Sequence, residues 1–105
     1  MTRIVSPSML SADFGHLERD TQMIDRSRAE WFHIDVMDGV FVPNISFGFP
    51  VLAAITKATE KVIDTHLMIV EPEKYVERFV KAGSHYVTFH IEATDKVQEC
   101  IDLIH

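Results

Sequence analysis

Apolar residues gather in four short runs, at residues 3–5, 31–36, 62–69 and 86–91, and after each run the apolar spacing relaxes to a helical period of about 3.6 residues. This alternation predicts four successive pairs of β-strand and α-helix, hence a parallel sheet with right-handed crossovers. The clearest helix begins at Glu71-Pro72-Glu73, where proline takes a position whose N–H has no helical partner and acid lies beside the positive end of the dipole. Its apolar stripe is Tyr75, Val76, Phe79 and Val80, and Gly83 ends it. The last helix, capped by Thr94 or Asp95, is predicted to bury Val97, Cys100, Ile101 and Ile104 and runs to His105 without a glycine or proline stop signal. Sparser stripes place two further helices at about residues 14–27 and 49–59.

Side chains alternate across a strand, so each run has two faces. In HIDVMDG, at residues 33–39, His33, Asp35 and Met37 share one face and Ile34 and Val36 the other. The same division puts Ser6 and Ser8 together in the first run, Asp64, His66 and Met68 in the third, and Thr88, His90 and Glu92 in the fourth. An open parallel sheet is covered by helices on both faces and reads apolar throughout. These strands are polar on one face, which instead predicts a (β/α)8 TIM-barrel type of fold, with the polar faces lining the lumen and the active site near the C-terminal strand ends. Such barrels need eight units and typically about 250 residues. Four units are half of one.

Composition narrows the function. The chain has 105 residues, 47% hydrophobic and 25% charged, as befits a single domain over residues 1–105, with no linker or low-complexity tract. A formal net charge of −6 offers no attraction to nucleic acid or to an anionic membrane, so a small-molecule site is the default. No apolar run approaches the ~20 residues of a membrane helix, and no leader is evident at the N-terminus, so the expectation is a soluble, cytoplasmic protein. Cys100 is the only cysteine, which excludes an internal disulfide, and its helical spacing reads as a small buried apolar residue.

His33, Asp35 and His66 stand on the shared polar face of neighbouring strands and can converge on one point. Two imidazoles and a carboxylate suit a divalent metal ion, Zn, Fe, Mn or Co, and leave positions open for substrate. A carboxylate that touches both metal and substrate can take a proton from carbon while the ion stabilises the oxyanion, which makes proton abstraction beside a carbonyl the natural reaction class. Met37 and Met68 stand one step beyond this layer, either as an apolar cap over the site or as gap-filling core. Asp38-Gly39 carries a hairpin signal, but residues 41–49 do not alternate cleanly and read as a site-forming βα loop containing Val42-Pro43-Asn44. His16 and His85 read as surface residues, His90 fits lumen or packing, and Glu92 fits a partner of the site or a solvated strand end.

SPSMLSADF at 6–14, HIDVMDGVFVPNISFG at 33–48, DTHLMIVEPEKYV at 64–76 and HIEAT at 90–94 together resemble the ribulose-phosphate 3-epimerases, isomerases of the pentose phosphate pathway with a (β/α)8 barrel. The resemblance extends through all 105 residues. It implies His33, Asp35 and His66 as metal ligands, with Asp35 also one of two acid/base residues. Ser8 becomes a hydrogen-bond donor to a sugar-phosphate substrate, His66 a substrate contact as well as a ligand, and Met37 and Met68 the cap. In the family one aspartate removes the proton at carbon 3, an enediolate stabilised by the metal forms, and a second aspartate reprotonates the opposite face.

That second aspartate, near the seventh strand, and the phosphate-gripping glycine-rich loops after strands seven and eight have no counterpart here. The isolated chain is therefore expected to epimerise poorly, because a positioned acid or base is worth roughly 10²- to 10⁴-fold. Its exposed sheet edges imply a partner, either a missing C-terminal half or a second copy in a homo-oligomer. Two further readings stand beside the pentulose epimerase. One is an epimerase of a hexulose 6-phosphate such as allulose 6-phosphate, and the other is a non-catalytic half-barrel that self-associates. Phosphate-binding decarboxylase and aldolase barrels favour Asp-x-Lys where this chain has Asp64-Thr65-His66.

Overall fold

The computed structural model describes residues 3–105 as an α/β fold built on a three-stranded parallel sheet. Strands β1 (Trp31–Met37), β2 (Val62–Met68) and β3 (Tyr86–Phe89) lie in that order across the sheet. The connecting helices are α2 (Phe49–Ala58) and α3 (Val76–Lys81), with α1 (Leu17–Asp25) before β1 and α4 (Val97–Ile104) after β3.

The predicted first strand is not a strand. Residues 3–7 run beside β1 and accept from it, with Glu30 N and Trp31 N donating to Val5 O at 3.1 and 3.3 Å and His33 N to Pro7 O at 2.9 Å. They return almost nothing, because Val5 N–H goes to the Glu30 carboxylate at 2.6 Å and Pro7 has no N–H. A single parallel bridge between Ser8 and His33 is what remains of the ladder.

The helices are also shorter than their periodicity suggested. The helix predicted over 14–27 divides into a 3-10 turn, Phe14–His16, and α1, because the Asp13 carboxylate accepts from Gly15 N and caps the turn. The helix predicted from Glu71 to Gly83 breaks at Tyr75 (φ −128°) into a 3-10 turn, Pro72–Lys74, and α3, with Glu71 left-handed at φ 48°. Strand β3 stops at Phe89, and Ile91–Ala93 is a 3-10 turn. In α4 the cap position falls to Lys96, whose N–H is taken by the Thr94 hydroxyl. Cys100 is buried as expected, but Ile101, predicted to be buried, is exposed.

Burial alternates strictly along β1 and β2. Phe32, Ile34, Ile63 and Leu67 are fully buried beneath Leu52 and Ile55 of α2 and Val76 and Phe79 of α3. Each such side chain contributes about 1.5–3 kcal/mol by leaving water. Helices thus cover one face of the sheet, and the opposite face, with His33, Asp35, Asp64 and His66, stays half-buried. Near the N-terminal strand ends of that face Trp31 stacks on Tyr86, with ring centroids 4.7 Å apart.

Candidate metal centre

Parallel pairing sets the geometry. Asp35 is the register partner of His66, His33 of Asp64 and Met37 of Met68. His33 Nε2 comes within 2.9 Å of Asp35 Oδ1, and His66 Nδ1 within 3.3 Å of the same oxygen. One donor atom each from His33, Asp35 and His66 lies within 4.8 Å of the others, and each residue is half-buried. This donor set fits a divalent transition metal: two neutral imidazole nitrogens and one carboxylate oxygen, converging from rigid strands, with one side open.

The cluster is held at its margins. The Ser8 hydroxyl donates to Asp35 Oδ2 at 2.6 Å and accepts from Leu10 N at 3.3 Å, so the serine predicted to meet substrate stands directly beside Asp35. Burial pushes the Asp35 pKa up, but the Ser8 hydroxyl, the charge of His33 and the hydrogen bonds of His33 and His66 outweigh it and hold it below the ordinary carboxylate value. Asp35 is therefore an ionised acceptor at neutral pH. Met37 and Met68 face each other one register step beyond Asp35 and His66, each half-buried.

Two residues of the surroundings, Asp64 and His90, have no single role fixed by the sequence. Asp64 Oδ2 lies 3.1 Å from His33 Nδ1, the ring nitrogen turned away from Asp35. His90, ambiguous in the sequence, stands beside the site: its Nε2 is 2.8 Å from His66 Nε2, and its ring lies 5.1 Å from that of Phe41. Asp64 and His90 were visible as polar residues on the right strand face, but pairing across the sheet was needed to show which nitrogen each meets. Glu92 Oε2 lies 3.8 Å from His90 Nδ1 at an exposed position. His16 and His85 are exposed, as predicted.

The loop after β1, expected from the sequence to form part of the site, is anchored by side chains of modest sequence signal. The Ser46 hydroxyl donates to Asp35 O at 2.7 Å and accepts from Met37 N at 2.9 Å. Asp38 accepts from Val40 N and Phe41 N through Oδ1 and from Val70 N through Oδ2, at 2.8–2.9 Å, joining this loop to the segment after β2. An isolated antiparallel bridge, Asp38 to Ile45, closes the loop on itself, so the hairpin signal of Asp38-Gly39 and the βα-loop reading each describe part of it. Gly39 has φ 78°, and a Cβ there would meet Ile45 Cγ1 at 2.8 Å.

Among the described residues no helix is long and apolar enough to cross a membrane. A ribulose-phosphate 3-epimerase of Synechocystis is 53% identical over 85% of this chain and 39% of its own length. The cytoplasmic isoform of Oryza sativa and the enzyme of Chlamydia trachomatis, both named ribulose-phosphate 3-epimerase, are each 46% identical, over 95% and 96% of this chain and 44% and 43% of their own lengths. The chain thus spans less than half the length of these curated relatives. The model of the ribulose-phosphate 3 epimerase family matches residues 4–105, which takes in every strand and every residue of the His–Asp cluster, and the chain belongs to that family.

Proposed function

We propose that the protein is a metal-assisted epimerase that inverts carbon 3 of D-ribulose 5-phosphate to give D-xylulose 5-phosphate, acting in the cytoplasm. Residues 1–105 form one domain in this reading, four βα units of a (β/α)8 barrel. Residues 3–8 stand where the first strand would be. The helix-free face of the sheet is the lumen, closed by further βα units or by a second copy.

The carrying observation is the convergence of His33, Asp35 and His66 within 4.8 Å on the helix-free face. His33 Nε2, His66 Nδ1 and an Asp35 oxygen would hold the ion. When bound, a divalent ion supplies stabilisation of the negative charge that develops on a substrate oxygen as the adjacent C–H is broken. Asp35 takes the carbon-3 proton. Asp35 is ionised at neutral pH and so can accept the proton, and the Ser8 hydroxyl, whose single proton goes to the carboxylate in this structure, turns it to the sugar when substrate is bound. Met37 and Met68 cover the reacting carbon and limit access of water. Inversion needs a second acid on the opposite side of the carbon. The 105-residue chain alone is therefore expected to exchange the proton far faster than it epimerises.

The test is incorporation of deuterium at carbon 3 of ribulose 5-phosphate in heavy water, with added Mn²⁺ or Zn²⁺. Exchange that falls about 10²- to 10⁴-fold in Asp35→Asn supports the assignment. Exchange unchanged by that substitution, or absent from a folded, metal-loaded protein, refutes it.

A further inference from the structure

An imidazole that binds a metal must present a lone pair, and a neutral ring has one nitrogen with a proton and one without. His33 meets a carboxylate at each nitrogen: Asp35 Oδ1 at 2.9 Å from Nε2, and Asp64 Oδ2 at 3.1 Å from Nδ1. The two acids compete for a single ring proton. If it sits on Nε2 it is donated to Asp35, the lone pair points away on Nδ1, and both groups are lost to the metal. If it sits on Nδ1 it is donated to Asp64, and Nε2 and Asp35 are both free to ligate. The ring's position is the same in either case, so the tautomer and not the fold decides whether the centre is open.

We propose that Asp64 is the positioning residue of the metal centre, holding the His33 proton on Nδ1 so that Nε2 faces Asp35 and His66. The proposal rests on the reading of His33, Asp35 and His66 as the ligands and adds what makes that set competent. The other ligand histidine is held differently, for His66 Nε2 meets His90 Nε2 at 2.8 Å. Among the described residues Asp64 is the carboxylate that contacts the outward nitrogen of a ligand histidine. Its place is fixed by backbone pairing, since Asp64 is the register partner of His33 on the central strand, β2. Outward partners of this kind set ligand orientation and basicity, and losing one typically weakens metal affinity by about 10- to 100-fold.

The experiment titrates the full protein with Co²⁺, following the visible ligand-field bands, for the wild type, Asp64→Ala and Asp64→Asn. Nitrogen-15 spectra of the histidine rings then report which nitrogen of His33 carries the proton. The expected result is a Co²⁺ dissociation constant raised about 10- to 100-fold in Asp64→Ala, less in Asp64→Asn because its amide oxygen can still accept from Nδ1–H. The Nδ1–H signal of His33 should be lost in Asp64→Ala and retained in Asp64→Asn. Melting in chelator separates this from a general loss of fold, and should Asp64→Ala fail to fold, the isosteric Asp64→Asn carries the test through its intermediate affinity. Folded variants that bind Co²⁺ within twofold of the wild type overturn the role of Asp64 and leave the ligand set intact. A wild type that binds no Co²⁺ overturns the ligand set, and Asp64 with it.

Discussion

Asp38 ties the loop after β1 to the chain after β2, and replacing it with asparagine measures how much that tie stabilises the fold. The native carboxylate accepts three backbone N–H groups, from Val40, Phe41 and Val70. In Asp38→Asn the amide oxygen can keep the Val40 and Phe41 pair, but the amide nitrogen then faces the Val70 N–H, donor against donor. The loss is one charge-assisted hydrogen bond, about 1.5–3 kcal/mol when well shielded. Asp38 is half-buried, so a value near the lower end, about 1.5 kcal/mol, is expected at pH 7. For a chain of this length that corresponds to a fall in Tm of about 6–12 °C. The pH dependence gives a second handle. Burial raises the Asp38 pKa, the N–H groups of Val70, Val40 and Phe41 lower it by more, and the net shift is downward. A carboxyl depressed in the folded state contributes stability that is complete above its unfolded value, about 3.9, and is lost as pH falls through the folded value. The difference between wild type and Asp38→Asn should accordingly hold from pH 7 to about pH 5 and shrink below about pH 4. Asp13, Asp20 and Asp35 are also shifted downward, but they titrate in both proteins and cancel in the difference. Thermal melts across that range, with hydrogen exchange at the Val70 amide, make the measurement. A variant as stable as the wild type at pH 7, or a deficit undiminished near pH 3, would refute the reasoning.

Lys61 Nζ donates to the carbonyls of Ile24 and Ser27, each at 3.0 Å, and to that of Ala29, tying the start of β2 to the turn between α1 and β1. Lys61→Met is expected to cost about 2 kcal/mol in denaturant unfolding, through lost charge-assisted bonds, and a midpoint unchanged from wild type would exclude this role. Gly83 ends α3 at φ 116°, where a Cβ would stand 2.9 Å from Thr56 Cγ2. Gly83→Ala should therefore destabilise by about 1–2 kcal/mol on thermal melting, whereas equal or greater stability would show that the left-handed turn relaxes without cost.

Much of this organisation was legible because it is local or periodic. The alternation of Phe32, Ile34 and Val36 with His33, Asp35 and Met37 named both the strand and its chemical face, and helix α2 fell within a residue of its expected end. What escaped depends on groups that periodicity ignores. The first strand failed because Glu30 captured the Val5 N–H and Pro7 had none to give. The break at Tyr75 follows a left-handed Glu71 that no composition signal marks. Spacing alone predicts burial of Ile101, but α4 turns Cys100 inward and leaves Ile101 exposed. Asp64 and His90 illustrate a different limit: each sits on the predicted face, but its partner, His33 or His66, is 31 or 24 residues away in sequence.

The His–Asp cluster and the core are specified by one and the same register. With a side-chain period of two, sliding β2 by one residue against β1 would place Ile63 and Leu67 on the helix-free face and turn Asp64 and His66 into the layer filled by Leu52 and Val76. That slip would expose two large aliphatic side chains, at about 1.5–3 kcal/mol each, and bury a carboxylate and an imidazole among aliphatic neighbours. The hydrophobic face therefore enforces the alignment of Asp35 with His66 and of His33 with Asp64 without any stabilising contribution from the site itself. A cluster with Asp35 Oδ1 within 3.3 Å of a ring nitrogen of both His33 and His66, and with burial working against the charge of Asp35, could not hold its own geometry on a flexible loop. On two paired strands whose opposite faces are fully buried, it is held by side chains that take no part in the chemistry.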